Sequence, residues 1–289
     1  MNYVGPEAFK QIYQDCGYGD AISQDPSSLS YVAEPVPGLW VFALDSCDYA
    51  DNLTNGTPTT AGRLSQATQA WVLGLLPVAK ASGKSVIGMM HHGVVEHYTG
   101  QGTQFSEYLV SDYGTVGKTL ADAGLKVIFT GHFHANDISQ ADFTSSKLYD
   151  CETGSLVTAP SPYRFASADL DKKTLALSTS QITSIPSHET DFVSWANTFL
   201  YNGLNNQSYT LLTNTYGLDV ATATSLAPLM SYGMMAHYAG DESPDATTQA
   251  TYNSMLSSTD TATRSMGQIL YSLWTDKTPA DNVITIPLQ

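Results

Sequence analysis

Basic side chains are scarce in this chain. Twelve Lys and Arg face 27 Asp and Glu over 289 residues, a formal net charge of −15. Nucleic-acid backbones are gripped by Lys and Arg, so nucleic acid is not an expected partner. Cysteine is also sparse: three residues, Cys16, Cys47 and Cys151, lie far apart. That is too few for a zinc knuckle or a disulfide framework, and three free thiols are expected, with one bridge left open. No stretch approaches the roughly 18–20 uninterrupted apolar residues of a membrane helix, so no span of a bilayer is expected. The opening residues, MNYVGPEAFKQIYQDCGYG, have neither a basic n-region nor an apolar h-region and do not read as a signal peptide. Charged residues of both signs make up only 13%, against about 25% in an ordinary domain. Ser, Thr, Asn, Gln and Tyr take their place, a surface that suits an exported or cell-envelope bacterial protein. What remains, 42% hydrophobic residues, is enough for a sizeable core.

The hydrophobic period changes along the chain, with no internal repeat. GLWVFALD (38–45) reads as a buried strand ending in Asp45. Between Gly62 and Gly83, Leu64, Ala67, Trp71, Leu75 and Ala79 recur at helical steps, with glycine at the end. SVIGMM (85–90) is a second strand, 113–124 a second helix and KVIFT (126–130) a third strand. Strand alternating with helix predicts an α/β layer with a mainly parallel sheet. Lys147–Cys151, Tyr163–Asp169 and Thr174–Ile182 read as successive antiparallel strands. Beyond about residue 190, Phe192–Tyr201, Asp219–Tyr238, Pro244–Leu256 and Asp260–Trp274 read as helices. Ser243-Pro244 is expected as cap and first turn, and Pro228 is expected to kink its helix. The boundary falls near Ser187, dividing 1–187 from a helical domain at 188–289, with Val283–Ile286 as a final strand. The short junction SIPSHET predicts that the helical unit packs on the α/β part.

Five of the seven histidines fall between His91 and His134. His91 and His92 follow one buried strand directly; His132 and His134 follow another, after Gly131. Ligands bind at the carboxyl ends of parallel strands, so both groups are expected along one sheet edge. Imidazole is the commonest metal-binding side chain near neutral pH, and two His groups at adjacent strand ends point to a metal site. Gly131 is expected to allow the tight turn. His188 and His237 have no such company, and His237 reads as a core histidine.

At MMHHGVVEHY and FTGHFHANDI the sequence resembles the last two signature blocks of the calcineurin-like metallophosphoesterases. SLSYVAEPVPGLWVFALDS and ETGSLVTAPSPYRF are similar to a bacterial branch often labelled cyclic-nucleotide phosphodiesterase. The resemblance spans roughly 7–185. It implies the C-terminal part of an α/β/β/α sandwich, followed here by an all-helical, cap-like domain. It further implies a phosphoester hydrolase with two divalent transition metal ions, manganese, iron or zinc. His91 and His132 would hold one ion and His134 the other. His92 would line the catalytic site, while His97 and Tyr98 in the following loop would contact a small phosphoester substrate.

The match is incomplete. The family's earlier blocks, an Asp-x-His, a Gly-Asp whose carboxylate bridges both metals and a Gly-Asn-His, have no counterpart before His91. Asp20 and Asp45 are the nearest stand-ins. The expectation is therefore an N-terminally truncated enzyme, poorly active alone, with a sheet face left uncovered. Two alternatives accompany it: an inactive binding module, and a single-metal protein built on His91, His132 and His134.

Overall fold

A computed structural model describes residues 3–288. Its strands are β1 (Ala21–Gln24), β2 (Tyr31–Val36), β3 (Leu39–Ala43), β4 (Ser85–Met89), β5 (Val127–Thr130), β6 (Ile138–Asp142), β7 (Lys147–Glu152), β8 (Pro162–Asp169), β9 (Thr174–Gln181) and β10 (Val283–Pro287). Its helices are α1 (Pro6–Ile12), α2 (Asn52–Asn55), α3 (Gln66–Ala81), α4 (Gln101–Gln104), α5 (Tyr113–Asp122), α6 (Phe192–Asn214), α7 (Val220–Ala239), α8 (Ala246–Leu256) and α9 (Thr261–Ser272). The fold class is α/β with a C-terminal helical region. Seven strands form one sheet in the order β1-β2-β3-β4-β5-β7-β6, and β10-β9-β8 form a second.

The central strands β3, β4, β5 and β7 run parallel, as alternation of strand and helix requires. The side chains of Trp40 and Phe42 point to one face, where they meet Val72 and Leu76 of α3 and Val116 and Leu120 of α5. Helix α3 starts later than the apolar spacing alone suggests, because the Ser65 hydroxyl accepts from Thr68 N at 3.0 Å and caps it. On the other face, Ile87, Phe129 and Tyr149 pack against Leu175, Leu177 and Ile286 of the small sheet. That cover stops short of β2 and β3. There Tyr31, Ala43 and a 47% exposed Met89 border an aromatic cleft closed on its far side by Phe9 and Tyr13.

Several expectations change. Strand β7 is not simply the first of an antiparallel run: it is parallel to β5 and antiparallel to β6, a strand the sequence reading did not place. Helix α6 continues to Asn214, because Leu204, Ser208 and Leu212 carry the buried stripe past Tyr201. Helix α8 is capped by Asp245 rather than Ser243. Pro228 lies inside a helix that continues without interruption. The final strand expected at Val283–Ile286 is present as β10, which pairs with β9 and buries Ile286 in the small sheet's core. All three cysteines are free thiols, two of them exposed and Cys151 buried. Tyr98, Phe133 and Ala135 share one apolar cluster with Leu212, Met230 and Leu270, so the helical unit rests on the loops after β4 and β5.

Candidate functional site

Parallel register brings the two His groups to one edge. Gly88 and Met89 of β4 sit beside Ile128 and Phe129 of β5. The pairing continues past the strand ends, with Met90 N donating to Phe129 O and Gly131 N to His91 O, both at 3.0 Å. The His91 and His132 rings therefore meet with centroids 4.3 Å apart, and His92 stands 4.7 Å from His132 and 5.1 Å from His91. The sharp turn is not made by Gly131. His132 and His134 themselves take left-handed backbone, at φ 76° and 68°. Residues held this way cost on the order of 1–3 kcal/mol and gather at functional sites.

Hydrogen bonds assign the ring protons. The Thr60 carbonyl faces Nε2 of His92 at 2.9 Å and Nε2 of His132 at 3.1 Å. A carbonyl only accepts, so both rings carry their proton on Nε2. His92 Nδ1 then accepts from the Ser46 hydroxyl at 2.8 Å, which commits both its nitrogens. His132 keeps Nδ1 free of protein partners among the described residues. His134 Nδ1 meets Thr158 Oγ1 at 3.2 Å. Burial holds His91, His92, His132 and His134 below the ordinary imidazole pKa, and the neighbouring imidazoles add to this for His91 and His132. His132 is lowered to about 4. Neutral imidazoles at pH 7 leave a lone pair on offer to a cation.

Asp150 of β7 holds the loop that carries these rings. Its Oδ2 accepts from Val94 N at 2.6 Å and Val95 N at 3.1 Å, while its Oδ1 accepts from the Thr130 hydroxyl. The same loop overturns part of the sequence reading. His97 and Tyr98 do not face a substrate, because both are fully buried. His97 Nδ1 bonds Asp137 Oδ1 at 2.5 Å, and its Nε2 lies 3.4 Å from Asp150 Oδ1. Although burial alone would lower it, these carboxylates hold His97 well above the ordinary imidazole value. Tyr98 packs on Phe133 and His237. His92, the expected catalytic histidine, is 2% exposed with both nitrogens engaged, so it supports its neighbours rather than reacting.

His91 and His132 fit one cation of the manganese, iron or zinc class. They do not fit the carboxylate-bridged pair that the resemblance implies. Among the described residues, the groups of three or more metal-type side chains with ligating atoms within 4.8 Å of one another lie elsewhere. Asp45 lines the same cleft of about 510 Å³ as His91, with Tyr18, Tyr31 and Tyr49, but its oxygens accept from Leu29 N, Cys47 N and the Tyr49 hydroxyl. Ser46, Thr60 and Asp150 were missed from sequence. No motif marks a backbone carbonyl such as that of Thr60, and Asp150 lies in a strand that reads only as apolar alternation.

No protein-family model matches this sequence, and no curated protein matches it. Among solved structures, the chain is similar to a dimetal phosphatase from Danio rerio at 14% identity and a TM-score of 0.46. The similarity covers 61% of this chain and 65% of the phosphatase chain.

Proposed function

We propose that this chain is a metal-dependent phosphoester hydrolase of the metallophosphoesterase type, acting on a small phosphodiester. The observation that carries the reading is the convergence of His91 and His132 at the ends of two adjacent parallel strands, on left-handed backbone. His91 and His132 would hold a divalent cation, which supplies positive charge to a phosphoryl oxygen when bound. His134 stands ready for a second position. His92 keeps the His132 ring oriented through their shared Thr60 carbonyl. The aromatic cleft beside His91 suits a flat organic group on the ester, which makes a cyclic nucleotide the finer form of the proposal.

The test is hydrolysis of bis-p-nitrophenyl phosphate with and without Mn²⁺. Without a bridging carboxylate, turnover below about 1 s⁻¹ is expected, at the low end of ordinary enzymes. It should need Mn²⁺ and vanish in His91→Ala/His132→Ala. Turnover that ignores both would contradict the proposal. The missing carboxylate favours one second reading, a metal-binding module without catalysis, which would bind Mn²⁺ at these rings and hydrolyse nothing.

A further inference from the structure

A second cluster of ionisable groups lies beneath the helical unit. Asp137 follows the His132–His134 turn, His237 lies near the end of α7 and Glu242 lies in the loop beyond it. All three side chains are 0% exposed. His237 Nδ1 is 2.8 Å from Glu242 Oε1 and 3.6 Å from Asp137 Oδ2. One ligating atom from each lies within 4.8 Å of the others, and Asp276 and Asp281 form a second such group with Asp137 and Glu242.

Two features separate this cluster from an ordinary buried ion-pair network. Of the nearby cations, Arg164 is spent on carbonyls, donating to Asp281 O and Glu152 O, and His97 engages Asp137 through Oδ1, leaving Oδ2 to the cluster. Furthermore, Asp137 Oδ2 and Glu242 Oε2 are buried with no hydrogen-bond partner among the described residues, on the two carboxyls that face His237 Nδ1. Buried polar atoms left in this state cost roughly 1–3 kcal/mol each, more when charged. Metal–ligand bonds of about 2.0–2.2 Å put neighbouring ligands roughly 3.0–3.6 Å apart, close to the spacing found.

We propose that Asp137, His237 and Glu242 form a buried structural site for one divalent cation of the zinc or manganese class, which fastens the helical unit to the sheet end. One imidazole with two carboxylates suits that class, whereas calcium prefers an all-oxygen shell. The ligands come from the loop after β5, from α7 and from the loop after α7. Cation binding would therefore add directly to folding stability. The site is independent of the proposed hydrolytic function, and its test removes the other imidazoles.

The experiment uses the full chain carrying His91→Ala, His132→Ala and His134→Ala, stripped with chelator and then given Zn²⁺ or Mn²⁺. One bound equivalent by elemental analysis and a rise of several degrees in Tm are expected. Co²⁺ should give a visible absorption band that disappears in His237→Gln. Adding Glu242→Gln should abolish both binding and the Tm rise. Absence of a bound equivalent in the triple variant, or equal binding after Glu242→Gln, overturns the proposal. A response to Ca²⁺ but not to Zn²⁺ or Mn²⁺ overturns it too, because His237 would then not be a ligand. Should Glu242→Gln fail to fold, the triple variant's metal stoichiometry decides alone.

Discussion

At Gly62 a side-chain carbon would fall 2.3 Å from His92 Nδ1, inside the space the ring already fills. Gly62→Ala must push His92 off both the Ser46 hydroxyl and the Thr60 carbonyl. The expected loss is about 1–3 kcal/mol of stability, the cost of stranding buried polar groups. Urea denaturation checks it, and an unchanged midpoint would show that the ring has room to move. The left-handed backbone at His134 gives a second residue-scale expectation. His134→Val should be less stable than His134→Gly by more than about 1 kcal/mol, because a β-branched side chain resists positive φ. Comparable thermal midpoints for the two variants would show that the turn is not held.

At the scale of elements, much of the α/β layer could be read from the sequence. GLWVFALD, SVIGMM and KVIFT became three adjacent parallel strands, and His91 and His92 beyond the second lie against His132 beyond the third, while His134 turns to Thr158. The short β6 escaped because Ile138–Asp142 mixes apolar and polar residues without a clear period, and its pairing with β7 is a tertiary outcome. His97 escaped for a related reason. Spacing placed it in a loop, but nothing local shows that Asp137 and Asp150 would enclose it. Caps were partly legible: the helix read from Asp219 does start there, with Asp219 capping α7 by accepting from Ala221 N at 2.9 Å and Thr222 N at 3.1 Å. Asp219→Ala should cost about 1 kcal/mol in global stability, measured by chemical denaturation. A loss near zero would mean that packing alone sets where α7 begins.

For the whole molecule, the buried charges predict that the metal-free chain loses stability as pH rises above about 6.5. Burial, reinforced by neighbouring carboxylates, pushes Glu152 up from 4.5 to about 8 and Asp281 from 3.8 to about 9. The folded chain keeps these protons where the unfolded chain releases them. Their stabilisation is therefore complete below the unfolded values of 4.5 and 3.8, falls as pH rises above them, and is gone once pH has passed 8 to 9. His97 and His237, both raised, act with the same sign. The depressed His91, His92, His132 and His134 act oppositely, since the unfolded chain takes up protons below 6.5 before the fold does. Between pH 7 and 8, stability should fall by more than about 1 kcal/mol per pH unit. Flat urea midpoints from pH 6.5 to 9 would contradict these buried protonation states.

The central claim, that the strand-end imidazoles bind a catalytic cation, is tested most directly by anomalous diffraction from crystals soaked in Mn²⁺. The account predicts an anomalous peak within roughly 2.0–2.3 Å of ring nitrogens of both His91 and His132, with Nδ1 as the His132 ligand. Saturating Mn²⁺ with no peak between those two rings would contradict it, even if manganese appeared elsewhere in the molecule.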